Sequence, residues 1–138
     1  MSNWVPAETE LFTQLYNQIN EHPLIKNKVK GVFDCVQKEP EYPYLIVGET
    51  ETLEQETSTD MYETVAVTFH VYSQSANSHE TRDILKYVEM VAKLGFEMKG
   101  YTIKRIKKDN STVIPDIDQF TKHGVLRMKY EVKHNTLY

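Results

Sequence analysis

The chain has 138 residues, 40% of them apolar and 26% charged; this is the length of one domain with ordinary globular usage, which excludes wholesale disorder, collagen and repeat arrays. Sixteen Lys and Arg against twenty Asp and Glu leave a net charge of −4, the wrong sign for non-specific nucleic-acid binding. The single cysteine, Cys35, cannot make an internal disulfide and points to a reducing compartment, while the opening Met1 to Pro6 lacks a signal peptide's basic and apolar regions and no run is long and apolar enough to span a membrane.

In chain order, Pro6 is followed by Leu11, Phe12, Leu15, Tyr16 and Ile19 at helical spacing, which predicts a helix over 6–20 stopped by Pro23. Val29 to Val36 predicts a short strand holding Cys35 as a buried residue. Tyr42 to Val47 predicts another, with Pro43 at its start or on an edge. The polar, acidic stretch 48–60 is expected to be an exposed loop or the tip of a long hairpin. Tyr62 to Tyr72 alternates strictly, placing Val65, Val67, Phe69 and Val71 on one face. A helix over 78–94 follows, with Asn77 and Glu80 as a capping box, Ile84, Leu85, Val88, Val91 and Ala92 as its core stripe, and Gly95 at its end. Tyr101 to Ile114 predicts a strand with a bulge between Ile103 and Ile106. After a turn at Pro115–Asp118, Val125 to Val132 predicts a last strand with Leu126, Met128, Tyr130 and Val132 inward. Together these give one α+β domain over 1–138: a mainly antiparallel sheet of about five strands with two helices packed on one face.

The chemistry-bearing residues form no catalytic constellation. There is no nucleophile elbow, and the five glycines are not spaced as a phosphate loop. Glu131 and His134 stand three apart on a strand and so face opposite ways. His79 and Asp83 share the first turns of a helix, and Asp116 and Asp118 suit a turn better than a metal site. We therefore expect no enzyme, no cofactor and no metal.

Three surface features remain. Glu49, Glu51, Glu54, Glu56 and Asp60 form an acidic run, while Lys99, Lys104, Arg105, Lys107 and Lys108 put five of the sixteen basic residues into ten positions. These are either solvated surfaces or opposite-sign patches through which copies meet head to tail, with Glu51, Glu54 and Glu56 facing Lys104, Lys107 and Lys108. Tyr87, Met90 and Leu94 form a second apolar stripe beside the core stripe of the later helix, which reads as either deep burial or a subunit contact. A small-molecule or peptide binding module is the alternative reading, with Thr64, Thr68 and His70 as its candidate face.

Val32-Phe33-Asp34, Tyr42-Pro43-Tyr44, Gly48-Glu49, Val71-Tyr72-Ser73, the helix with Ile84 and Val88, and His123-Gly124-Val125-Leu126-Arg127 occur in that order. In this series the chain resembles the tail completion, or tail-to-head joining, proteins of long-tailed bacteriophages from about Leu11 to Tyr130. It departs from their pattern at Gln37, where proline is common, and at Tyr72, where tryptophan is. The resemblance implies an architecture similar to tail terminators, which form hexameric rings, and a structural virion role at the top of the tail tube. Its implied partners are other copies, the tail tube protein and the head completion or connector protein, with no membrane and no sequence-specific nucleic acid. The implied location is the host cytoplasm during assembly and then the virion tail, in a phage or a prophage.

Overall fold

The computed structural model describes residues 5–56 and 60–135. Helix α1 (Glu8–Glu21) and a short α2 (Pro23–Lys26) precede strands β1 (Val32–Phe33), β2 (Tyr44–Glu56) and β3 (Met61–Ser73). Helix α3 (His79–Ala92) then leads to β4 (Tyr101–Pro115) and β5 (Lys122–His134). The five strands form one sheet in the order β1-β2-β3-β5-β4.

The core follows from the apolar periods. Val65, Val67, Phe69 and Val71 of β3 and Leu126, Met128, Tyr130 and Val132 of β5 are all fully buried. They share one cluster with Leu11, Leu15 and Ile19 of α1 and Ile84, Val88, Val91 and Ala92 of α3. Both long helices therefore lie on one face of the sheet. The Tyr130 hydroxyl, sealed in this core, donates to the Ala92 carbonyl at 3.0 Å, and burial pushes its pKa up. Gly124 permits the close approach of β5 to α3, since a Cβ there would stand 2.7 Å from Thr81 Cγ2 and 2.8 Å from Leu85 Cδ1. Gly95 has the left-handed φ of 77° expected after α3.

Several expectations change. Pro23 ends α1 but also opens α2, as proline suits a first helical position and His22 Nδ1 accepts from Leu24 N–H at 3.2 Å. The strand expected over Val29–Val36 shrinks to two residues, and β1 pairs with β2 in parallel, so the sheet is mixed. Antiparallel neighbours need only a tight turn, whereas the connection 34–43 is long enough to carry the chain back to a parallel start. Cys35 leaves the sheet with that connection and is exposed, not buried. The capping box does not form: Asn77 Oδ1 accepts from His79 N–H at 2.9 Å, but Glu80 takes the buried Ser73 hydroxyl at 2.6 Å. The acidic stretch is the long hairpin rather than a loop, with β2 paired to β3 as far as Glu56 and Met61. The bulge in β4 is present between Ile103 and Arg105, and a second lies between Lys108 and Asn110.

Candidate assembly surfaces

The strand order leaves two open edges. Beside β2, β1 covers only Leu45 and Ile46, so the rest of that edge is unpaired by the sheet through Glu56. On the other side β4 is open beyond its first residue, Tyr101, which bridges to Met98. Unpaired strand edges are templates for association unless side chains block them.

These edges carry the two charge runs. The cross-strand register links Glu51 to Ala66, Ala66 to Lys129 and Lys129 to Lys107. Likewise Leu53 runs through Thr64 and Glu131 to Arg105, and Glu54 through Glu63 and Val132 to Ile103. Lys104 is the bulged residue between Ile103 and Arg105, level with Leu53 and Glu54. Acidic and basic residues thus sit at matching heights on opposite edges.

The six residues of the charge pairing differ in their commitments. Among the described residues Glu54, Lys104 and Lys107 have no ion-pair partner, whereas Lys108 pairs with Glu89 of α3 at 3.2 Å. Glu51 is bound by Arg127 at 3.0 Å, and Arg127 in turn meets Asp109 at 3.0 Å. The Glu56 side chain lies outside the described residues, while its backbone pairs opposite Met61. The apolar stripe of α3 is reduced. Tyr87 is half-buried against the core beneath the ammonium groups of Lys28 and Lys86, at 5.0 and 4.8 Å from its ring centroid. Met90 and Leu94 remain exposed, at 50% and 64%.

The face of the sheet without helices carries an aromatic row that the sequence reading did not anticipate. Tyr44 stacks on Tyr72 at 5.0 Å, Tyr72 on His123 at 4.4 Å, and His123 on His70 at 5.0 Å. His70 Nδ1 lies 2.8 Å from His123 Nε2, and its Nε2 2.7 Å from Glu49 Oε1. Burial, and then the neighbouring His70, lower the His123 pKa against the pull of Asp116 and Glu49. For Glu49, desolvation favours the neutral acid, but its own backbone N–H and His70 outweigh this and lower its pKa. Burial beside Tyr42 and Tyr72 pushes the Tyr44 phenol up to about 12.

The remaining candidates resolve as structural chemistry. Asp118 accepts from Phe120 N–H, Thr121 N–H and the Thr121 hydroxyl at 2.9, 2.8 and 2.8 Å, so it holds its turn, and these bonds lower its pKa. Asp83 pairs with Lys28 at 2.9 Å and Lys86 at 3.3 Å rather than with His79. His134 turns inward to Glu63 while Glu131 lies on the opposite face, level with Arg105. Glu63 is a buried acid that the reading passed over. It is 1% exposed, and its Oε1 accepts both the Ala7 N–H at 2.9 Å and a bond from His134. Its position two residues before Val65 on an alternating strand was the signal for its inward direction. Among the described residues no group of three or more His, Cys, Asp or Glu side chains is placed to hold a metal ion. Thr68 of the alternative binding face is buried, and the polar atoms of His70 are taken.

A small α+β domain with two open, oppositely charged sheet edges is a subunit suited to assembly. The comparisons with known proteins agree. The model of the tail completion protein gp17 family matches residues 13–132. The tail completion protein gp17 of Bacillus phage SPP1 is 25% identical over 133 residues, covering 96% of this chain and 98% of that protein. Its solved structure superposes with a TM-score of 0.64 at 23% identity over 99% of both chains. A chain from the virion of a native gene transfer agent particle superposes with a TM-score of 0.76 at 14% identity, over 94% of this chain and 99% of that one. The chain belongs to the tail completion protein gp17 family and is a structural component of the phage virion tail.

Proposed function

We propose that copies of this chain form a ring, hexameric as in tail terminators, that completes the top of the tail tube and helps join it to the capsid connector. The role is structural, with no chemical step of its own. The observation that carries it is the level matching of acidic β2 with basic β4 on opposite edges. Lysines along β4 repel a second β4, so they disfavour a two-fold contact between like edges. They suit the β2 edge of a neighbour, which runs antiparallel to β4. Contacts between unlike surfaces repeat around an axis and close into a ring when the rotation allows. The tail tube protein and the head completion or connector protein are the further partners. Assembly takes place in the cytoplasm of the host, before the protein resides at the head–tail interface of a phage or prophage particle.

The test is electron microscopy of tails made with and without this protein. With it, tubes should end at a fixed length and accept capsids. Tails of normal length that join capsids in its absence would overturn the proposal.

A further inference from the structure

Among the described residues, no strand pairs the outer edge of β2 beyond Ile46 or that of β4 beyond Tyr101. Bulges interrupt both strands at one level. In β2, Gly48 and Glu49 lie across from Thr68, which is level with Arg127 of β5. In β4, Asp109 is the extra residue beside Asn110, the partner of the same Arg127. A bulge bends its strand and increases its twist, so the regular edge restarts at the same height on both sides of the sheet.

The stretches beyond these bulges match position by position. Through β3 and β5, Thr50 is level with Lys108, Glu51 with Lys107, Thr52 with Ile106, Leu53 with Arg105, Glu54 with Ile103 and Gln55 with Thr102. Lys104, the residue of the first β4 bulge, is left over. The faces agree as well. Thr52 and Glu54 stand opposite buried Val65 and Glu63, and Ile106 and Ile103 opposite buried Tyr130 and Val132, so these four share the helix side. Glu51, Leu53, Arg105 and Lys107 share the other side.

We propose that β2 of one copy adds to β4 of the next in this register through main-chain hydrogen bonds, making one continuous sheet across the contact. This rests on the ring reading above and deepens it by naming the bonds and the register. Unpaired N–H and C=O groups on two antiparallel edges complement each other before any side chain is considered. The side chains then select the partner and the alignment. Glu51 meets Lys107, and Leu53, 61% exposed, lies along the aliphatic stem of Arg105. On the helix side, Thr52 and Glu54 of the incoming strand face a groove of about 640 Å³ bordered by Leu94, Phe96, Ile103, Lys104 and Ile106. A slip of one residue would turn every side chain to the wrong face. A slip of two in one direction sets Glu51 against the bulge that holds Asp109, acid beside acid, and a slip of two in either direction puts the bulges out of step. The occupant is a second copy, because the two matching edges belong to one chain.

Paired cysteines test the register. Within one chain, three strand spacings of ~4.8 Å put positions 53 and 105 roughly 14 Å apart, beyond the ~7 Å limit for a disulfide. A bond between them is therefore intermolecular. Cys35→Ser protein carrying Leu53→Cys and Arg105→Cys is assembled, oxidised under mild conditions and run on a non-reducing gel. The expected result is a ladder of linked copies ending at the ring size and abolished by reductant. The pairs Leu53→Cys with Thr102→Cys and Gln55→Cys with Arg105→Cys report the two slips and should stay at background. Amide exchange on the wild-type protein tests the main-chain bonds without any substitution. On assembly, the outward N–H groups of 50–55 and 102–108 should exchange slower by about tenfold or more. Linkage in a slipped pair above that of 53 with 105 would overturn the register. Rings whose edge amides exchange as fast as the monomer's would overturn the strand addition and leave the ring standing. Protein that stays monomeric at high concentration would overturn both.

Discussion

Glu51 and Lys107 stand at the same height of the sheet on its two opposite edges, connected by the cross-strand pairs through Ala66 and Lys129. Neither position can reach the other within one chain. Their complementarity becomes useful only between chains.

This predicts the outcome of a charge exchange. Reversing Lys104 and Lys107 to Glu should block assembly and leave the monomer folded, because both side chains lack ion-pair partners among the described residues. Lys108 belongs to the proposed set, but reversing it also breaks the Glu89 pair, so it is best tested separately. Adding Glu51→Lys and Glu54→Lys to the same chain should restore assembly. Each exposed pair is worth at most ~1 kcal/mol, but a ring repeats the set at every interface. Added salt should weaken association of the wild type, since exposed charges are screened over ~10 Å at 0.1 M. Sedimentation of the three proteins decides it. A fourfold variant that assembles no better than the twofold one would show that the edges do not meet.

The core gives a second prediction. Phe69 is fully buried under the helix layer, so Phe69→Ala should cost about 3–5 kcal/mol. Denaturant unfolding measures it. A loss below about 1 kcal/mol would mean that the site collapses around the missing ring.

The legible parts of this fold were those with an unambiguous period. Strict alternation in β3 and β5 identified both inward rows, and the i, i+4 stripe of α3 identified its buried side. The run Val29–Val36 carried no such period, and its strand is only two residues long. Its pairing is settled by where β2 lies, which no local pattern records, and so the exposure of Cys35 was misread. The charge runs were visible, but their placement on opposite edges required the strand order. The His70–His123 pair was hidden for a related reason: it depends on the β3–β5 register, which sets Tyr72 opposite His123. Glu63 was within reach of the same alternation that found Val65.

Glu63 carries a third prediction. Its Oε1 secures the Ala7 N–H at the start of α1 together with His134 of β5. Removing a partner from a buried donor costs about 1–3 kcal/mol. Glu63→Ala should lose that much and speed amide exchange in the first turn of α1. Glu63→Gln keeps an oxygen that can accept from Ala7 and should lose less. Equal losses from the two variants would show that the hydrogen bond does not matter.

The fourth prediction concerns acid. His123 is half-buried against Tyr72 and His70, and its pKa lies below the ordinary value of 6.5. The unfolded chain therefore takes up a proton here before the folded chain does. Stability is complete above about pH 6.5 and declines as pH falls through that value toward the lower folded pKa. Asp116 and Glu49 face the ring and soften the decline without reversing it. His123→Phe keeps an aromatic ring on Tyr72 but removes the titrating group. Its stability should be flatter than the wild type's between about pH 7 and pH 5. Glu49 acts in a lower window: its pKa is depressed, so its contribution holds above about 4.5 and disappears only below that. Glu49→Gln should accordingly keep the slope near pH 6 and steepen it slightly, since the charge that softens it is gone. Denaturant midpoints measured across this range separate the two groups. If His123→Phe retains the full wild-type slope between pH 7 and 5, some other group is responsible for it.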